Sequence, residues 1–194
     1  MSRKLVLART LIIVLIGMLG VVIESQKVKA SGTIFIRVDG SVYPPEAAEL
    51  ISNVDNVTYI FTNNVYDSIV VEKDHIVVDG AGYTLQGAGD GKGIELSGRG
   101  NVTIQNLNIK AFDHGIYLYE SAGNSIDGNN ITANSYYGIW LEDSSNNSVY
   151  GNSLTNNYNG ITVDYSSNNS ISGNNITASI YGGIEISFSS NNGV

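Results

Sequence analysis

The sequence predicts an all-β fold, a single-stranded right-handed parallel β-helix with three short strands in each turn of 22–23 residues. The main observation is a phrase of the form Gly-Ile-x-Leu that recurs at spacings of 23, 22 and 23 residues. Two further apolar phrases follow each copy at fixed distances, separated by Gly, Asn and Ser. Short alternating apolar runs bounded by turn-forming residues are typical of strands. The clearest copies begin at Gly115, Gly138, Gly160 and Gly183.

Alignment of the copies predicts which side chains face the interior of the coil. Apolar residues occupy the same position in successive turns, and no polar residue interrupts the columns. Parallel strands stacked about 4.8 Å apart would bring these side chains into contact, and burial of each is worth roughly 1.5–3 kcal/mol. The first-strand columns are Ile94, Ile116, Ile139, Ile161, Ile184 and Leu96, Leu118, Leu141, Val163, Ile186; the other strands contribute Ile104, Ile126, Val149, Ile171 and Ile109, Ile131, Leu154, Ile176.

Asn recurs at the predicted corners of the coil. Each corner between the second and third strands has a Gly-Asn pair, and both residue types tolerate left-handed backbone conformations. Asn side chains stacked on parallel strands also form hydrogen-bonded ladders. We therefore expect these residues to serve the fold rather than a ligand. The pairs are Gly128-Asn129, Gly151-Asn152 and Gly173-Asn174, and Asn146, Asn168 and Asn191 at a second corner are interpreted in the same way.

Three segments precede or make up the coil. Residues 1–30 have the pattern of a secretory signal peptide, with Arg3 and Lys4 before an apolar run and small residues at its end. Residues 31–66 contain both prolines, a short helix expected at 46–51 and a strand expected at 57–62, and are predicted to form an N-terminal cap. Residues 67–194 are predicted to form the parallel β-helix, with early strands at 69–71 and within 76–85, and the coil is expected to continue beyond Val194.

Charge and composition limit the classes of function. After residue 30 the chain has five basic and 17 acidic residues, a net charge of −12, and no Lys or Arg follows Lys110. Nucleic acid is therefore excluded as a partner, because its binding requires basic residues at the phosphates. The chain has no cysteine, and the leader predicts a secreted, periplasmic or cell-surface protein. Membrane attachment would require an uncleaved N-terminal segment or an anchor beyond Val194.

The repeats resemble those of the NosD-like, carbohydrate-binding and sugar-hydrolase (CASH) group of right-handed parallel β-helix proteins, within the pectin lyase-like superfamily. The resemblance covers residues 68–194 and is carried by 115–118, 124–132 and their copies, and 76–85. It implies sugar ligands, and in some members hydrolase or lyase activity. NosD itself implies copper, which prefers thiolate, thioether and imidazole ligands.

The residues depart from several functional patterns of that superfamily. After residue 30 there is no Cys or Met, and we interpret His75 and His114 as solvated corner residues, so copper is not expected. The Gly-His-Gly motif of polygalacturonase-like members is absent, Asp113-His114-Gly115 being its nearest counterpart. Lyase-like members pair calcium with a basic residue that removes a proton, and no basic residue follows Lys110.

The outward side of the first strands is the candidate ligand surface. Because successive side chains of a strand point to opposite faces, the residues between and after the inward Ile and Leu should be exposed. Tyr117 and Trp140 would form a sugar-stacking platform, with Tyr119, Glu95 and Glu185 as further binding residues. The alternative is that these rings simply stabilise the strands. The two outward columns are Glu95, Tyr117, Trp140, Thr162, Glu185 and Ser97, Tyr119, Glu142, Asp164, Ser187.

Two carboxylates in the second column suggest catalysis as an alternative. Glu142 and Asp164 should lie on adjacent turns about 5 Å apart, which suits a retaining glycosidase pair or a shared calcium ion. The leading hypothesis is a module that binds polysaccharide or a cell-surface glycan. A glycoside hydrolase or polysaccharide lyase using these carboxylates is the second hypothesis, and a structural surface stalk or adhesin module is the third. No cofactor is required by the sequence, and calcium is left open.

Overall fold

The computed structural model describes residues 32–194, so the predicted signal peptide lies outside the described residues. The described chain forms a parallel β-solenoid of about six turns, which confirms the predicted fold class. In chain order the elements are β1 (Ile34–Ile36), β2 (Val42–Tyr43), a 3-10 helix (Pro45–Glu49), β3 (Ile51–Asn53), β4 (Thr58–Phe61), β5 (Ile69–Val71), β6 (Val77–Asp79), β7 (Thr84–Gln86), β8 (Lys92–Ser97), β9 (Thr103–Gln105), β10 (Asn108–Lys110), β11 (His114–Tyr119), β12 (Ser125–Asp127), β13 (Asn130–Thr132), β14 (Tyr137–Glu142), β15 (Ser148–Tyr150), β16 (Ser153–Thr155), β17 (Asn159–Asp164), β18 (Ser170–Ser172), β19 (Asn175–Thr177) and β20 (Gly182–Ser187).

These strands form three sheets that run along the coil. Sheet 1 has the order β2-β1-β5-β8-β11-β14-β17-β20 and contains the first strand of each turn. Sheet 2 has the order β18-β15-β12-β9-β6-β4-β3, and sheet 3 has the order β19-β16-β13-β10-β7. From β5 to β19, each turn therefore adds one strand to every sheet.

The predicted inward columns form the core. Ile116 pairs in register with Ile94 and Ile139, and Leu118 pairs with Leu96 and Leu141. These side chains are fully buried. Burial ends at β20, where Ile184 and Ile186 are 37% and 39% exposed, because no described strand stacks on the far side of this strand.

The long strands of sheet 1 turn two consecutive residues toward the interior. In β11 both Gly115 and Ile116 are buried. A side chain at Gly115 has no room, since an added Cβ would lie 2.6 Å from the backbone oxygen of Gly138 in the next turn. The residue before the glycine, His114, consequently lies on the outward side with Tyr117, and their ring centroids are 6.1 Å apart.

The corners contain the predicted ladders, with one correction. Asn129 Nδ2 donates to Asn152 Oδ1, and Asn152 Nδ2 donates to Asn174 Oδ1, both at 3.0 Å. At the second corner, Asn146 has the expected left-handed conformation with φ of 59°. The ladder there was placed one residue too early, because the buried position that faces the next turn follows the turn residue. It is formed by Asn124, Asn147, Asn169 and Asn192.

The N-terminal segment differs in detail from the prediction. The expected helix at 46–51 is a 3-10 helix at Pro45–Glu49, and Ile51 already begins β3. The strand expected at 57–62 is β4. β1 and β4 stack in parallel on β5 and β6, so the parallel coil extends into the segment predicted as a cap. At the ends of these sheets, β2 pairs antiparallel with β1 in sheet 1, and β3 pairs antiparallel with β4 in sheet 2. The division into cap and coil remains a prediction. No helix within residues 32–194 is long and apolar enough to cross a membrane.

Candidate functional site

The outward side chains of sheet 1 from β8 to β20, here named the outer face, contain all seven predicted site residues. Tyr117 pairs in register with Glu95 on one side and Trp140 on the other. Glu142 pairs with Asp164 on the following turn. The sequence therefore predicted the neighbours correctly, whereas Glu95 and Glu185 lie at opposite ends of the face, on β8 and β20.

A third outward column was missed by the sequence reasoning. It contains the residue before each glycine, and simple alternation assigns that residue to the interior. The available signal was the polar or aromatic character of this position in every turn before the last, which does not suit a core. The column consists of Lys92, His114, Tyr137 and Asn159, followed by Gly182.

The prediction that Tyr117 is exposed was wrong. Only 7% of its surface is accessible, because side chains from neighbouring turns cover the ring. Lys92 Nζ lies 4.0 Å from the ring centroid, and the Trp140 ring packs beside it with centroids 4.8 Å apart. Thr162, also predicted to be exposed, is buried. Trp140 keeps intermediate exposure, so it is the accessible ring of the predicted pair.

His114 is part of an aromatic cluster and is not a solvated corner residue. Its ring stacks on Tyr137 with centroids 5.3 Å apart and lies 5.3 Å from the Trp140 centroid. Burial lowers the pKa of His114, against the raising effect of Asp113. Its Nδ1 is buried and has no hydrogen-bond partner. His75, by contrast, is exposed at a corner, with φ of 57°, as predicted.

The two candidate catalytic carboxylates are each held by an aromatic side chain of the preceding turn. Tyr117 Oη donates to Glu142 Oε2 at 2.5 Å, and Trp140 Nε1 donates to Asp164 Oδ2 at 3.2 Å. Burial and the bond to Glu142 raise the pKa of Tyr117. Burial also raises the pKa of Asp164, and nearby Glu185 acts in the same direction. The two carboxylates are thus fixed in position and can still accept further hydrogen bonds.

The remaining predicted residues have different environments. Glu95 accepts from Lys92 Nζ at 2.8 Å. Glu185 Oε2 accepts from Asn159 Nδ2 at 2.7 Å. Tyr119 stacks against Tyr117 with ring centroids 6.4 Å apart and an interplanar angle of 13°. The outer face therefore has a basic residue at β8 and only acidic charges from β14 onward.

Metal-binding groups are sparse in the described part of the chain. Residues 32–194 contain no cluster of three or more His, Cys, Asp or Glu residues that could hold an ion. The same residues include neither Cys nor Met. His75 precedes β6 of sheet 2, whereas His114 belongs to β11 of sheet 1. The soft and imidazole ligands that copper prefers are therefore not assembled among the described residues.

Comparisons with known proteins agree with the architecture. No curated protein and no solved structure matched the chain. A family model described as "Periplasmic copper-binding protein (NosD)" matches residues 30–194. The match extends over most of the sequence and over every strand of the solenoid. With its repeated turns and stacked parallel strands, the chain belongs to the NosD family.

Proposed function

We propose that this periplasmic or surface β-helix binds polysaccharide or a cell-surface glycan through its outer face. The observation that carries the proposal is the pair of aromatic–carboxylate hydrogen bonds, from Tyr117 to Glu142 and from Trp140 to Asp164. Apolar rings beside oriented polar groups are typical of ligand sites. The periplasmic description of the family is compatible with such ligands.

The arrangement suits an extended sugar chain that lies along the coil axis. Trp140 would pack its accessible ring against the apolar side of a sugar, while Tyr117 supports it from the preceding turn. Glu142 and Asp164 would accept hydrogen bonds from sugar hydroxyl groups. Because these carboxylates are already held in place, little side-chain entropy would be lost on binding. Turns about 4.8 Å apart would present similar groups repeatedly along the ligand.

Glycan arrays and pull-downs with insoluble polysaccharides would test the proposal. Trp140→Ala should lower affinity at least tenfold, because it removes the accessible ring and the donor to Asp164. Tyr150→Ala is the matched control, since Tyr150 is a 55% exposed aromatic residue on sheet 2. Unchanged binding by Trp140→Ala, or absence of binding by the unmodified protein, would contradict the proposal.

The second candidate function is cleavage of a glycan by Glu142 and Asp164, either as a glycoside hydrolase or as a polysaccharide lyase. It is favoured by their direct pairing on adjacent strands and by the burial that raises the pKa of Asp164 above that of an ordinary carboxyl. A protonated Asp164 would serve as the general acid and Glu142 as the nucleophile. Release of reducing ends from a polysaccharide panel should disappear in Glu142→Gln and Asp164→Asn. Activity that survives both changes would rule out these roles, and parallel assays with calcium and with a chelator would test for a shared ion.

Copper is the ligand named in the family description, but the described residues do not fit it. We therefore predict that residues 32–194 do not bind copper. Metal analysis of purified protein incubated with copper would test it, with His114→Ala as the informative variant because His114 Nδ1 is unpartnered. A structural stalk would show neither glycan binding nor turnover.

A further inference from the structure

We infer that the last turns of the outer face form a subsite for an ammonium group, so that the preferred glycan carries free amino sugars. The inference rests on the proposed glycan-binding function and specifies the ligand class. Its first support is charge. From β14 to β20 the outer face contains Glu142, Asp164 and Glu185, and no Lys or Arg follows Lys110, which lies on sheet 3.

An unpartnered buried acceptor lies beside one of these carboxylates, that of Glu185. Asn159 is only 3% exposed, and its Nδ2 donates to Glu185 Oε2 at 2.7 Å and to Thr162 Oγ1 at 3.3 Å. Its Oδ1 is buried and accepts no hydrogen bond. Buried polar atoms are almost always paired, so an acceptor that the chain leaves unpaired can receive a donor from water or from a ligand.

Space for that donor lies beside Asn159. The next residue in its column is Gly182, which has no side chain. A Cβ built at Gly182 would be 3.7 Å from Asn159 Oδ1 and would have no other heavy atom within 4 Å. The position next to this acceptor on the following turn is therefore free of any side chain, and a small donor group placed there would lie beside Asn159 Oδ1.

The protein contains its own example of the proposed arrangement at the other end of the face. Lys92 occupies the same column as Asn159, with its ammonium nitrogen 2.8 Å from Glu95 Oε1 and 4.0 Å from the Tyr117 ring centroid. There, one ammonium group is held by a carboxylate and an aromatic ring. At the last turns, Glu185 stands in the column of Glu95, but the position that corresponds to Lys92 is Gly182, which carries no ammonium group.

Aromatic rings also border the last turns. Tyr137 and Trp140 have ring centroids 5.0 Å apart, and ring faces attract cations. Burial raises the pKa of Tyr137, and the charges of Asp164, Glu185 and Glu142 act in the same direction, which reports a negative potential at this ring. An ammonium group would relieve that potential, whereas a sugar carboxylate would add to it.

An ammonium group fits the acceptors better than a metal ion. Calcium takes about 6–8 oxygen ligands, whereas the hydrogen bonds here bring one carboxylate, that of Glu185, to the amide of Asn159. A primary ammonium has three donors and would be directed to Asn159 Oδ1 and Glu185, with water as the third partner. Aromatic neighbours, which do not ligate calcium, favour an organic cation.

Calorimetric binding of glucosamine oligomers, N-acetylglucosamine oligomers of the same length and oligogalacturonate would test the inference. We expect the free amine form to bind at least tenfold tighter than the acetylated form, and the uronate to bind weakest. The preference should decrease as salt increases, because an exposed charge interaction is screened.

Variants of the subsite would locate the effect. Glu185→Gln and Gly182→Lys should bring the affinities for the free amine and the acetylated oligomers close together, the second because it supplies an ammonium group of its own. Glu49→Gln is the control with the same charge change, at an exposed residue of the 3-10 helix.

The outcomes separate the inference from the function on which it rests. Equal affinity for acetylated and free amine oligomers, or a preference that survives Glu185→Gln, would overturn the ammonium subsite and leave glycan binding intact. Binding that requires calcium would also overturn it. Absence of binding to every glycan would overturn both.

Discussion

The corner ladders and the outer face are both columns of polar groups that repeat once per turn, but they differ in composition. Asn129, Asn152 and Asn174 repeat one residue type, and the amides of Asn129 and Asn152 each donate to Oδ1 of the Asn on the next turn. On the outer face the residue changes at every turn, as from Tyr117 to Trp140 to Thr162. Identical residues at one position reflect the requirements of stacking, whereas changing residues at a fixed position can encode recognition of a ligand.

The largest expected effect is loss of a ladder residue. Asn152→Ala removes the donor to the Ile126 backbone oxygen and leaves the buried N–H and one amide hydrogen of Asn129 without their acceptor, Asn152 Oδ1. Each such group costs about 1–3 kcal/mol, so we expect the free energy of unfolding to fall by roughly 3 kcal/mol. Urea denaturation followed by circular dichroism would measure the change. Asn146→Gly, at an exposed turn residue, should change stability little, and equal loss in the two variants would contradict the structural role of the ladder.

A smaller effect is expected on the outer face. Tyr117→Phe removes the donor to Glu142 but keeps the ring, and we expect destabilisation of roughly 1 kcal/mol because Glu142 can still be hydrated. Combination with Glu142→Gln in a double-mutant cycle would isolate the coupling between the two side chains. Glycan affinity should fall more clearly than stability. If the effects of Tyr117→Phe and Glu142→Gln on glycan affinity are additive, the hydrogen bond between these side chains does not orient Glu142 for the ligand.

The smallest effect is a pH dependence from His114. Since burial lowers its pKa in the folded protein, folding favours the neutral ring, and the unfolded chain binds the proton more readily at mildly acidic pH. The contribution of His114 to the free energy of unfolding is fully present above the ordinary histidine pKa of about 6.5. It is lost as pH falls from there toward the lower pKa of His114 in the folded protein. His114→Gln should therefore lose less stability than the unmodified protein between about pH 8 and pH 5. The same pH dependence of stability in His114→Gln and in the unmodified protein would contradict the prediction.

The sequence predicted the repeated parts of the molecule better than the outer face. Ile94, Ile116 and Ile139 could be placed because burial selects the same apolar residue in each turn. The position of His114 could not be deduced by alternation, because Gly115 and Ile116 both turn inward. The burial of Tyr117 depends on Lys92 and Trp140, which lie on the preceding and following turns. These contacts join positions at which the residue type changes from turn to turn, so the repeat does not predict them.

The period, the three strands per turn, the apolar columns and the Asn-rich corners can all be read from the amino-acid sequence. Each follows from local rules, namely alternation along strands, left-handed conformations at turns and repeated burial. Only the tertiary structure decided that Lys92, His114, Tyr137 and Asn159 join the outer face, and that aromatic donors hold Glu142 and Asp164. The physical reason is that glycine lets neighbouring turns approach closely, which redirects the preceding side chain and brings residues more than 20 positions apart into hydrogen-bond contact.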